Sequence, residues 1–289
     1  MRKGFFPPTD RALQRITDLY NMTWGVAAGI WHLKCSVDHF IEKYPETKEP
    51  DLSNRFIQGS KIHGANLTVS YVKKTWEEQK DDLAWWVLLS LLAIYEDWLK
   101  SMGDEYHLDF DLAKNKDKTI KFRKDAKKES DGMKNLFYET YKANKMYDLE
   151  HYYAITRCYC LFHEIRDCYV HRGRMADERV TKAYKSYEEA CDSPAALGEK
   201  ELPEIYPIEL HQLVHLSLRG VVGFSSILRK FIYTIDTELI CRKPAETCLK
   251  NLCGGIENFD TADKSVRKAI RKAGFLLPGD NHDNTAGKV

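Results

Sequence analysis

Arg166 and His171 are the residues of this chain best suited to do chemistry. They lie in the stretch Phe162-His163-Glu164-Ile165-Arg166-Asp167-Cys168-Tyr169-Val170-His171-Arg172-Gly173. A permanently charged guanidinium neutralises phosphate oxygens, and an imidazole exchanges protons near neutral pH. Side by side, the two form a minimal kit for cleaving a phosphodiester. Spacing alone does not select them, because Arg157 and His163 form a second arginine–histidine pair in the same helical pattern. Context does. Arg157 is followed by an apolar and aromatic run, Cys158-Tyr159-Cys160-Leu161-Phe162, whereas Arg166 has Glu164 before it and Asp167 after it. Positions five apart on a regular helix point about 140° away from each other. A histidine two residues before Gly173 can escape that constraint by fraying or capping, and His163 cannot.

A second group of residues fits beside this pair. Glu96 is the first charged residue after the apolar run at residues 83–95, bounded on its other side by Asp81 and Asp82. It shares a helix face with Lys100 at i,i+4, where it can look inward and orient a catalytic side chain. The same pair also reads as an ordinary surface ion pair, worth about 0.2–0.5 kcal/mol. Other motifs carry less. His211 and His215 stand at i,i+4 but lack the glutamate of a zinc-protease helix. Gly220-Val221-Val222-Gly223 lacks the strand and lysine of a phosphate loop, and there is no nucleophile elbow. None of the eight cysteines forms a CxxC pair, so neither a metal nor a cofactor is expected.

The elements that must position these residues read as helical. The chain has 289 residues, 12% aromatic, with Lys+Arg 44 against Asp+Glu 43. Whole-chain charge therefore gives no case for nonspecific nucleic-acid binding. Apolar periodicity predicts a first helix over residues 9–44 with Thr9 or Asp10 as its cap, followed by a polar connector. A second helix is expected over 67–101, ended by Gly103. Its apolar centre is too short to cross a bilayer and reads as the central buried helix of a bundle. Strand-like alternation around Tyr106, Leu108, Phe110 and Leu112 suggests a small hairpin within an insert at 104–128. That insert carries a lysine-rich run, readable as a solvated connector or as an RNA-contacting flap. A third helix starts near Leu149 and ends by Gly173, a further one covers 176–190, and a loop takes up 193–207. A fourth main helix is expected over 208–240, then a short basic helix over 265–273 and a disordered tail after Pro278. The layout is an all-α bundle of four to five main helices spanning residues 9–240, with a C-terminal extension over 241–289. The N-terminus has no apolar core of signal length, so a cytoplasmic location with reduced thiols is expected.

With these residues in view, the chain resembles the HEPN superfamily. Arg166, Asp167 and His171 fit its arginine–polar–histidine motif, Glu96 to Lys100 fits its E-x3-K element, and the helix layout is similar over about residues 9–240. The resemblance implies a helical bundle, many of whose relatives are metal-independent endoribonucleases. It implies a homodimer in which two copies of the motif face one cleft. His171 is then the general acid or base on the ribose 2′-OH and the leaving oxygen, and Arg166 stabilises phosphate charge. Asp167 and Glu96 orient them, Lys100 holds the backbone, and Arg172 and Arg174 reach flanking phosphates. A toxin or antiviral defence role, restrained by an antitoxin or sensor, is the family's usual setting. Some relatives do not cleave, which keeps open a silent helical module that binds RNA, a nucleotide or a protein partner.

Overall fold

The computed structural model describes residues 4–106, 149–240, 243–254 and 264–272. They form α1 (Pro7–Lys43), α2 (Glu49–Phe56), α3 (Trp76–Tyr106), α4 (Leu149–Arg172), α5 (Glu178–Ala190), α6 (Leu218–Ile240), α7 (Lys243–Leu252) and α8 (Lys264–Lys272). A π-helical turn, Thr68–Val72, precedes α3, and a 3-10 turn, Pro194–Leu197, follows α5. The architecture is an all-α helical bundle. Among the described residues the only β pairing is two isolated bridges, Met175 with Leu213 and Ile205 with Leu216.

The apolar centre of the second expected helix is the middle of the bundle. Trp85, Leu88, Leu91, Leu92, Tyr95 and Trp98 of α3 are all buried. They pack against Leu13 and Ile16 of α1, against Ile155, Phe162 and Ile165 of α4, and against Phe224, Phe231 and Ile235 of α6. Phe162 and Phe224 stack face to face, with centroids 4.2 Å apart. Within the apolar run, Trp86 and Ala93 reach solvent. Among the described residues no helix is long and apolar enough to cross a membrane.

Several boundaries differ from the sequence expectation, each for a physical reason. α1 begins at Pro7, whose missing N–H costs nothing in the first turn. Thr9 is therefore not its cap but a buried acceptor for the Trp98 indole N–H at 3.0 Å. The chain before α1 is tied down instead by the Asp236 carboxylate, which accepts the N–H of Phe5 at 2.8 Å and of Phe6 at 3.2 Å. The polar connector contains α2, which Pro50 starts in the same way. α3 begins nine residues later than expected and continues through Gly103 to Tyr106. Tyr106, expected to open a strand, is a buried helical residue whose ring meets Phe6 at 4.9 Å. The rest of the hairpin, the lysine run, Cys241 and the tail lie outside the described residues.

The largest correction is at residues 208–217, which are not helical. Their backbone finds partners elsewhere: His211 N–H donates to Ala176, Val214 N–H to Arg174, and Leu216 N–H to the Asp81 carboxylate. His211 has φ +64, so the two histidines do not share a helix face. In the C-terminal extension, Ala245 and Cys248 of α7 join the main core.

The far end of α1 carries a small satellite in which Glu49 of α2 caps the π-helical turn. Its carboxylate accepts the N–H of Leu67 at 2.8 Å and of Thr68 at 2.6 Å, and the Ser53 hydroxyl at 2.7 Å. Burial pushes this carboxyl up, but the Thr68 N–H and the other donors outweigh it and bring the pKa from 4.5 to about 2. A depressed carboxyl pKa stabilises the fold above the ordinary value and loses that contribution as pH falls through the folded one. Hydrogen exchange at Leu67 and Thr68 is therefore expected to accelerate as pH drops from about 4.5 to about 2, beyond its intrinsic pH dependence. Glu49→Gln should show no such step. Equal profiles for the two proteins would refute the cap.

Candidate functional site

Over the apolar seam of α3 and α4 lies a charged cluster that contains three of the residues singled out from the sequence, Arg166, Asp167 and Glu96. The Arg166 guanidinium of α4 donates to Glu96 Oε1 of α3 and, at 2.8 Å, to Asp167 Oδ1. The arginine side chain is 22% exposed, so the cluster sits at the surface over the α3–α4 seam. Two of the five guanidinium donors are used in these bonds, which leaves others for a ligand. The side chains of the trio carry a net charge of −1, with two carboxylates to one cation.

His163 completes the cluster from the buried side. It is 6% exposed, and its Nδ1 lies 3.7 Å from Asp167 Oδ2. That is too far for a hydrogen bond, and Nδ1 has no other partner among the described residues. Burial, with help from the Arg166 charge, lowers its pKa to about 4 against the opposing pull of Asp167. The imidazole is therefore neutral at physiological pH. Its i,i+4 spacing to Asp167 is legible in the sequence, where its spacing to Arg157 also makes it part of the second arginine–histidine pair.

His171 stands apart from this cluster. α4 runs unbroken to Arg172 and is closed by Gly173 at φ +58, the left-handed residue expected of a helix end. The last turn has not frayed, so His171 keeps its angular separation from Arg166. It is exposed, beside the exposed Val170. Lys100 is also exposed, and Glu96 turns to Arg166 rather than to it.

Arg172 and Arg174, expected at flanking phosphates, are engaged by carboxylates. Arg172 Nε meets Asp177 Oδ2 at 3.0 Å. Asp177 in turn caps α5 by accepting the N–H of Arg179 and Val180. Arg174, in the left-handed region at φ +71, bridges Asp81 and Asp82, each at 2.9 Å. Its guanidinium lies beside the stacked rings of Trp85 and Tyr169, 5.3 and 5.2 Å from their centroids. Burial raises the Asp82 carboxyl, but hydrogen bonds from Lys74 and Arg174 hold it below its ordinary value. These pairs fix the turn that follows His171.

Comparison with protein-family models, with curated proteins and with solved structures finds no match to this chain.

Glu164, passed over in the sequence apart from its charge, has Oε2 buried without a partner among the described residues. Burial raises its pKa, with the Asp167 charge adding to the effect. Among the described residues no group of three His, Cys, Asp or Glu side chains is arranged to hold a metal ion. The arrangement offers an anchored cation, an exposed imidazole on the same helix, and a negative local charge that discourages a lone phosphate.

Proposed function

We propose that the protein is a metal-independent endoribonuclease of the HEPN kind, acting as a homodimer. The observation that carries this reading is the anchored Arg166. Two carboxylates, Glu96 from α3 and Asp167 beside it, hold the guanidinium at the surface while His171 stands free on the last turn of the same helix. In this reading His171 takes the proton from a ribose 2′-OH, whose oxygen attacks phosphorus as the P–O5′ bond breaks, and the resulting imidazolium gives a proton to the departing 5′-oxygen. The products are a 2′,3′-cyclic phosphate and a 5′-OH end. Arg166 stabilises charge on the phosphoryl oxygens.

Two features support a site completed by a second copy. On one unbroken helix Arg166 and His171 diverge, so a partner's motif is needed to set a histidine opposite the arginine. The trio around Arg166 carries a net negative charge, and a second copy repeats it, so the positive charge a phosphate needs must come from a protonated His171 facing the arginine. Val170, Met175 and Leu213 are exposed around the end of α4, an apolar rim suited to self-association. A toxin or defence setting, with an antitoxin or sensor as restraint, is consistent with such an activity.

A second reading has an observation of its own. Arg166 engaged by two carboxylates also serves as a structural strut, which suits a silent helical module that binds RNA, a nucleotide or a protein. The experiment that separates them is incubation of purified protein with RNA in EDTA. The expected result is cleavage with cyclic phosphate ends, no cutting of DNA of the same sequence, and protection by 2′-O-methylation. Cleavage that requires an added metal, or that spares no DNA, overturns the mechanism. RNA bound but left uncut favours the module.

A further inference from the structure

Among the described residues, α7 and α8 carry a surplus of positive charge that the candidate site does not use. α8 reads Lys-Ser-Val-Arg-Lys-Ala-Ile-Arg-Lys and contains no acidic residue. Taken with α7, the described residues 243–254 and 264–272 hold seven lysines and arginines against the single carboxylate of Glu246. The whole chain has a net charge of only +1. Lys264, Lys268, Arg271 and Lys272 are exposed, as is Lys250 on α7.

What α8 does with its other face narrows the partner. Val266 and Ile270 are buried against Cys253, with Ala269 packed beside them. A helix that binds a membrane surface inserts its apolar side among the acyl chains. Here that side is already covered by the protein, and what remains outward is cationic. Such a surface fits a polyanion whose charges lie in a row, such as the phosphodiester backbone of a nucleic acid.

Its position connects it to the candidate site. Cys248 of α7 meets the Tyr106 hydroxyl at the end of α3. Tyr106 lies ten residues beyond Glu96 on the same helix, about 15 Å along its axis. Exposed Lys100 stands between the two. A strand of a few nucleotides leaving Arg166 along α3 therefore reaches α7 and α8.

We propose that α8, with Lys250 of α7, is a phosphate-backbone clamp for single-stranded RNA, placed to hold the substrate beyond the cleavage point. The proposal rests on the reading of RNA as substrate, but it concerns binding and not cleavage. It is tested on the full chain with a fluorescent, uncleavable 2′-O-methyl RNA of about twenty nucleotides, titrated by anisotropy over a range of NaCl concentrations. Neutralising three cations in Lys264→Gln/Lys268→Gln/Lys272→Gln is expected to reduce the slope of log affinity against log salt by about 2, at roughly 0.7 per phosphate contact. Affinity at low salt should fall at least tenfold. The Lys→Arg counterpart should retain both. Val266 and Ile270 are untouched, so the melting temperature should hold; if the triple variant misfolds, Lys268→Gln alone should still lower the slope by about 0.7. Unchanged affinity and slope overturn the clamp, as does tighter binding to vesicles containing phosphatidylserine than to the RNA. A lowered slope in a protein that cuts no RNA keeps the clamp and removes the nuclease. Cleavage with an unchanged slope does the reverse.

Discussion

Replacing His171 with alanine is expected to lower RNA cleavage by about 10²–10⁴-fold, the usual contribution of a general acid or base. Stability should change by less than about 0.5 kcal/mol, as for a surface substitution away from special features. His163→Ala should behave in the opposite way. It empties a buried site in the core beside Tyr159, and should cost roughly 1–3 kcal/mol with a smaller direct loss of turnover. If His171→Ala cuts at the wild-type rate while His163→Ala is folded and inactive, the assignment passes to His163. The same pair of positions tests the dimer. Arg166→Ala and His171→Ala should each be inactive alone. Mixed and allowed to exchange subunits, they should recover about a quarter of the wild-type rate, because half of the dimers are then mixed and each carries one intact composite site. A mixture that forms heterodimers but stays silent would place both residues of each site within one chain.

The parts of this arrangement that sequence reasoning reached are those set by local pattern. Gly173 announced the end of α4 because a left-handed residue closes a helix at little cost only when it is glycine. The run at residues 83–95 announced a buried central helix because its flanking acids limit its length. Glu96 was expected to look inward; its side chain is 42% exposed, and its carboxylate pairs with Arg166. Residues 208–217 were unreadable for the opposite reason. Leu210, Leu213, Val214 and Leu216 have helical spacing, yet Leu210 and Leu213 are exposed. Hydrogen bonds to Ala176, Arg174 and Asp81, partners far off in the chain, hold the backbone out of a helix. Arg174 was misleading in the same sense: its neighbours in sequence suggest a free cation beside the motif, whereas Asp81 and Asp82, more than ninety residues away, engage it.

Asp81 gathers these long-range contacts, and Asp81→Ala should be the most destabilising of the substitutions considered. Its side chain is 11% exposed. One carboxylate oxygen accepts the Leu216 N–H, and the other meets Arg174 at 2.9 Å with His215 Nδ1 at 3.7 Å. Alanine leaves a buried N–H unsatisfied and removes one of the two anions facing a partly buried guanidinium. Cutting one partner out of such a network costs about 3–5 kcal/mol, equivalent to a fall of roughly 6–20 °C in Tm for a chain of this size class. Asp81→Asn should recover part of the loss, since its amide oxygen still accepts from Leu216. Asp81→Ala combined with Arg174→Ala should cost less than the sum of the two, with a coupling of about 0.5–3 kcal/mol. RNA cleavage by Asp81→Ala should also fall below the temperature of unfolding, because the turn from Gly173 to Ala176 that fixes the end of α4 hangs on this carboxylate. Denaturant titration of the four variants, Arg174→Ala included, decides the matter: an Asp81→Ala protein within about 0.5 kcal/mol of wild type would mean that Asp82 alone holds Arg174, and that Asp81 does not carry the network.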